Sequence, residues 1–159
     1  MKEGERLSEI TESRAYKYAR FAAEGNAKIP RYVRRQAQEW LKIADGSSAE
    51  AFVDEKTLRQ ISNLLRIMVH PDLNCPMSDG LEDYAHLFIT ALFCTKKRSG
   101  GNYYTTGLLE IARKNFKTFT SAVIFIIALL ICPKFSRLFS AATYILLFRG
   151  IFTIFLLSK

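Results

Sequence analysis

Apolar side chains recur every three or four positions through the first two thirds of the chain, then merge into nearly unbroken runs. Between Arg6 and Glu24 the text is rich in Ala, Glu, Lys and Arg, with Ile10, Tyr16, Ala19 and Phe21 as sparse apolar positions. This predicts a helix stopped by Gly25-Asn26, a pair that favours helix termination. Pro30 suits the first turn of a second helix, because its missing N–H is not needed there. Val33, Ala37, Trp40, Leu41 and Ala44 then form one stripe, Arg31, Arg34, Arg35 and Lys42 lie mostly off it, and Gly46 closes the segment. Asp54 is placed to cap a third helix carrying Leu58, Ile61, Leu65 and Met68, with Pro71 just beyond its end. Ser78, Asp79 and Gly80 read as a turn, and Leu81 to Thr95 as a fourth helix carrying Leu87, Phe88, Ala91 and Leu92. Lys96 to Asn102 is a basic, glycine-containing loop.

The pattern changes at Tyr103. Tyr103 to Ile111 is aromatic and Thr-rich and ends in an apolar run, which predicts a strand. Ala112 to Phe116 is a turn, Lys117 to Cys132 a long apolar helix, and Pro133 its end. From Leu138 onward the text is almost wholly apolar apart from Arg149.

Charge follows the same division. The 159 residues carry a net charge of +8, but residues 1–111 hold 16 basic and 15 acidic side chains. Residues 112–159 hold 7 basic side chains and no acidic ones, so the last carboxylate side chain is Glu110. The composition, 49% hydrophobic, is that of a chain with a buried core, and excludes disordered and collagen-like classes. Cys75, Cys94 and Cys132 are far apart and odd in number, which argues against a disulfide framework, and a zinc site would need His70 or His86 to meet distant cysteines. The N-terminus MKEGERLSEI lacks the apolar run of a signal peptide, so a cytoplasmic setting is expected.

A strand, a short turn and Lys-Thr at a helix start form the context in which a phosphate-binding loop works. Backbone N–H groups at the helix N-terminus and the helix dipole attract phosphate. A Lys neutralises phosphate charge, and a Thr hydroxyl ligates Mg²⁺. Lys117 and Thr118 occupy those two positions, while Ile111 and Phe116 stand where the usual loop has glycines.

The run LLEIARKNFKTFTSAVIFI (Leu108 to Ile126) resembles the phosphate-loop region of tailed-phage terminase large subunits. Those proteins often carry Arg-Lys-Asn-Gly-Lys-Thr/Ser without the first glycine. Ile29 to Gly46 (IPRYVRRQAQEWLKIADG), Ala51 to Asp72 (AFVDEKTLRQISNLLRIMVHPD) and Asp79 to Cys94 (DGLEDYAHLFITALFC) resemble the helical N-terminal part of that family, in the same order. The likeness spans roughly residues 15–140.

What the resemblance implies is a phage or prophage DNA-packaging ATPase in the cytoplasm of a host bacterium. Its cofactors would be ATP and Mg²⁺, and its partners phage DNA, the terminase small subunit and the portal. The implied fold is mainly α with a partial α/β element: a helical N-terminal region leads into the first strand–phosphate-loop–helix unit of an incomplete P-loop NTPase domain. The corresponding segments are 1–102, 103–140, and an apolar tail, 141–159. The implied nucleotide-binding residues are Arg113, Lys114, Asn115, Phe116, Lys117 and Thr118. Lys117 would contact the β/γ phosphates, Thr118 would ligate Mg²⁺, Arg113 would act near the γ-phosphate, and Asn115 would shape the turn.

The chain departs from the family at three places. Phe116 replaces the glycine before the Lys, Leu81 to Cys94 contains no adenine-contacting Gln, and no acid follows Glu110. An ATPase of this kind needs later acids for Mg²⁺ and for water. The expectation is therefore a terminase fragment without ATPase or nuclease activity and without catalytic residues of its own, truncated or frameshifted near Ala141.

The competing expectation is a small membrane-associated protein with a basic helical cytoplasmic domain. Ala122 to Cys132 is only 11 residues long, whereas Leu138 to Leu157, at 20 residues with Arg149 near its middle, is a borderline span. A DNA-binding module using Arg31, Arg34 and Arg35 is a third reading, disfavoured by the near-neutral first 111 residues. Phe52-Val53-Asp54-Glu55 imitates a strand ending in paired acids, but Asp54 reads better as a helix cap; His70-Pro71-Asp72 reads as a helix-terminating turn.

Overall fold

The computed structural model describes residues 9–25, 29–111, 117–131, 137–139 and 151–157. It divides the chain into two compact units, residues 1–103 and 104–159. The protein is mainly helical, with small antiparallel sheets.

The first unit holds α1 (Arg14–Ala23), α2 (Arg31–Ala44), β1 (Ala51–Val53), α3 (Glu55–Ile67), α4 (Met77–Gly80), α5 (Asp83–Cys94) and β2 (Thr95–Lys97). Each long helix starts where local chemistry allows it. Ser13 caps α1, its hydroxyl accepting from the Tyr16 N–H at 3.2 Å while donating to the Ile10 carbonyl at 2.6 Å. That reciprocal pair breaks the single helix expected from Arg6 to Glu24, leaving a separate helical turn before Ser13, because a Ser hydroxyl competes for backbone groups. Asp54 caps α3 as expected, accepting from the Thr57 N–H at 3.3 Å and the Thr57 hydroxyl at 2.5 Å.

Helix α1 packs against α2 and α5 through Ala15, Ala19 and Ala22, three buried positions whose small side chains let the backbones approach. Helix α3 lies against α4 and α5 and buries Leu58, Ile61 and Leu65. Helix α5 is central. It buries Ala85, His86, Ile89, Thr90, Leu92, Phe93 and Cys94, whereas of the expected stripe only Leu92 is buried and Leu87, Phe88 and Ala91 are half-buried. Neighbours on several sides explain the difference: a helix enclosed by others needs no single apolar stripe.

Two short strands close the unit. Strand β1 pairs antiparallel with β2 in the register Ala51↔Lys97, Phe52↔Lys96 and Val53↔Thr95. The expected loop at Lys96 to Asn102 thus begins as strand and turns at Gly100 and Gly101, whose φ angles of 102° and 81° suit glycine. Trp40 Nε1 donates to Thr95 Oγ1 at 3.2 Å, satisfying the indole within the core. The predicted turn at Ser78 to Gly80 is a helical turn, α4, in which the Gly80 N–H donates to the Pro76 carbonyl at 3.0 Å.

The second unit holds β3 (Thr106–Glu110), α6 (Lys117–Ile131), β4 (Arg137–Phe139) and β5 (Ile151–Leu157). Its sheet has the order β3-β5-β4, with both pairings antiparallel. Thr120, Ser121, Val123, Ile124, Ile127 and Ala128 on α6 are buried, whereas Leu129 and Leu130 are 67% and 63% exposed.

Candidate functional site

The expected nucleotide site lies between β3 and α6. Strand β3 ends at Glu110 and α6 begins at Lys117, so the order strand, connection, helix is present. Arg113, Lys114, Asn115 and Phe116 lie outside the described residues. Lys117 and Thr118 are the first two residues of α6, which places them in the turn where backbone N–H groups remain unsatisfied within the helix. The first turn of α6 holds no acidic residue to oppose an anion.

The sheet around β3 differs from that of a phosphate-loop domain. There, the strand feeding the loop belongs to a mostly parallel sheet, as crossover connections require. Here its neighbour β5 runs antiparallel, in the register Thr106↔Phe155 through Glu110↔Ile151. A phosphate-loop unit is therefore not shown. The tail segment Ile151–Leu157, read in sequence as part of a borderline membrane span, is the central strand of this sheet. Among the described residues, no helix is long and apolar enough to cross a membrane.

For an ATP–Mg²⁺ group the fit is partial. The helix N-terminus and the Lys-Thr pair suit phosphate, but residues 111–159 supply no carboxylate for the metal. Among the described residues, no group of three or more His, Cys, Asp or Glu side chains is arranged to hold a metal ion.

The histidines and cysteines singled out in the sequence lie in the first unit. His70 is 2% exposed, and its Nδ1 accepts from the Asp72 and Leu73 N–H groups, each at 3.2 Å, so it organises the turn after α3. Gly80 packs against this turn. A Cβ there would lie 3.0 Å from His70 Cδ2 and 3.1 Å from Cys75 Sγ, so a larger residue would need the turn to give by a few tenths of an ångström. Cys94 is buried, and burial pushes its thiol pKa far up, making it a poor nucleophile. Arg31 and Arg35 are exposed on α2, whose buried face is Ala37, Trp40, Ile43 and Ala44.

One feature of the first unit has no local signal in the sequence. His86, the fourth residue of α5, lines a cavity of about 270 Å³ together with residues of α1, α3 and α4. Burial, followed by the charge of Arg14, lowers its pKa to about 4, against weaker raising effects from Asp83, the Ser78 backbone and Asp79. Arg14 closes one side of the region: Nη2 and Nε reach Asp83 Oδ1 at 2.6 and 2.9 Å, and Nη1 donates to the Ser78 carbonyl at 2.5 Å.

No protein family, curated protein or solved structure matches the chain.

Proposed function

We propose that this chain is the N-terminal part of a tailed-phage terminase large subunit, the ATP-driven motor that packages DNA. The observation that carries the reading is the beginning of α6 at Lys117, directly after β3 and its connection, in the order that the resemblance over Leu108 to Ile126 implies. The helical first unit supports it, since the resembling segments Ile29–Gly46, Ala51–Asp72 and Asp79–Cys94 contain α2, α3 and α5 in sequence.

In this reading Lys117 neutralises phosphate charge and the Thr118 hydroxyl is the protein's Mg²⁺ ligand. ATP would supply the free energy for moving DNA. Phe116 in place of glycine adds a side chain where the loop backbone must approach phosphate, so it weakens nucleotide binding. These 159 residues also lack any acid after Glu110 to hold the metal or activate water, so by themselves they do not hydrolyse ATP.

Titration with Mg²⁺–ATP, followed calorimetrically, tests the nucleotide part of the reading. Phe116→Gly should bind at least tenfold more tightly than the parent chain, and adding Lys117→Ala should abolish the gain, with no hydrolysis in any variant. Equal binding by Phe116→Gly with and without Lys117 would sink the phosphate-loop assignment.

A further inference from the structure

We propose that the end of α3 and the turn after it, residues 67–76, form a docking surface for a protein segment that is both apolar and basic. The turn inverts the usual placement of side chains. His70 is 2% exposed, whereas the aliphatic side chains of Ile67, Val69 and Leu73 are 78%, 60% and 60% exposed. Folding alone favours the opposite, since burying a polar group and exposing aliphatic ones both cost free energy. The backbone holds this arrangement in place. The His70 N–H donates to the Cys75 carbonyl at 2.8 Å, the Asn74 N–H to the His70 carbonyl at 2.9 Å, and the Met77 N–H to the Met68 carbonyl at 2.8 Å. Val69 and Pro76 form an antiparallel bridge, and Asn74 adopts a left-handed conformation with φ 50°. Aliphatic groups on so braced a turn are preorganised for contact, which lowers the entropy cost of binding.

Charge selects the occupant. From Ile67 to Thr95 the chain has four acids, Asp72, Asp79, Glu82 and Asp83, and no Lys or Arg. Asp83 is taken up by Arg14 at 2.6 Å, while Asp72, Asp79 and Glu82 are exposed. Asp72 belongs to the turn itself, and the packing of Gly80 on His70 brings α4 beside it. Lys or Arg side chains on a partner complement these carboxylates, whereas an anionic membrane or a nucleic acid is repelled. A second copy is disfavoured, because a symmetric contact sets acid against acid. Three aliphatic side chains also offer only on the order of 300 Å², against about 800 Å² per partner in a stable dimer. The surface lies in the first unit and does not rest on the nucleotide reading.

The probe is a synthetic amphipathic helical peptide of Leu and Lys, compared with its counterpart of Leu and Glu. Methyl signals of Ile67, Val69 and Leu73 in the full chain are followed by NMR during titration. The expected result is a saturable shift of all three with the Leu-Lys peptide and none with the Leu-Glu peptide. Val69→Ser combined with Leu73→Ser, both at exposed positions, should weaken binding about tenfold. Asp72→Asn should weaken it about threefold, the scale of one exposed ion pair. Trp40 fluorescence verifies that each variant is folded. The absence of a shift, equal shifts with the two peptides, or undiminished binding by the double variant overturns the proposal. So do the same methyl shifts on concentrating the protein alone, which assign the turn to a second copy, or on adding phosphatidylglycerol vesicles, which assign it to a membrane.

Discussion

The two units are built from the same apolar alphabet but rely on it differently. In the first, apolar positions are interleaved with charge and the buried ones fall on the packed helix faces, although Ile67, Val69 and Leu73, at the end of α3 and in the turn after it, are 60% or more exposed. Ile89, with 0% exposure, lies in the core of the unit, while Arg14 and Asp83 pair across elements at the surface. In the second, α6 is apolar on both faces: Ile124 and Ile127 are fully buried, yet Leu129 and Leu130 are largely exposed. Hydrophobic residues are thus a reliable guide to the interior only when polar residues mark the alternative face. A chain segment without acids, like 112–159, offers no such mark.

Core substitutions give the largest test of this contrast. Ile89→Ala should destabilise the first unit by about 2–5 kcal/mol, whereas Leu130→Ala on the exposed face of α6 should stay within about 0.5 kcal/mol. Urea unfolding checks the first through Trp40, the single tryptophan, which is 2% exposed within the first unit. Circular dichroism checks the second. Equal losses at the two positions would remove the distinction.

Acid gives the next largest effect and sharpens the comparison, because the described part of the second unit has no such group. His86 has a folded-state pKa of about 4 against an ordinary value of 6.5, so the unfolded chain binds the proton more readily. The stabilisation it gives is complete above pH 6.5 and is lost as pH falls toward 4, amounting to about 3 kcal/mol. Urea midpoints measured across that window should fall with acid in the parent and fall less in His86→Leu. An unchanged slope in that variant would assign acid sensitivity to other groups.

The smallest effect concerns a single cap. Asp54→Ala should cost about 1 kcal/mol, because it removes the acceptor for the Thr57 N–H at the start of α3. Thermal unfolding followed by Trp40 fluorescence resolves a loss of that size, and an unaltered midpoint would deny the cap its role.

These differences also separate what was legible in the sequence from what was not. The cap of α3 and most of the stripes of α2 and α3 were legible because the residues that decide them are within four positions of one another; in α2, however, Val33 of the expected stripe is exposed and Ile43, outside it, is buried. The break at Ser13 was missed because a serine inside a helical pattern is ambiguous until its hydroxyl is seen bonding both Ile10 and Tyr16. The β1–β2 pair was missed because it joins Ala51 to Lys97, and no local pattern announces a partner so distant. Of the candidate nucleotide site, the helix start at Lys117 was legible from the polar turn before an apolar run. The direction of the sheet was not, since antiparallel pairing with Ile151–Leu157 depends on contacts far along the chain. The His86 cavity gave no signal at all, because a lone histidine on a helix acquires meaning only from the elements packed around it.

Descent from a terminase large subunit, as proposed, is tested most directly by sequencing the gene and translating the DNA beyond the Ser140 codon in all three forward frames. Such descent predicts one frame encoding an apolar strand that ends in adjacent Asp and Glu, followed by further aspartates suited to a metal-dependent nuclease. If no frame encodes them, the terminase assignment is contradicted and the apolar segment after Ser140 belongs to a protein of another kind.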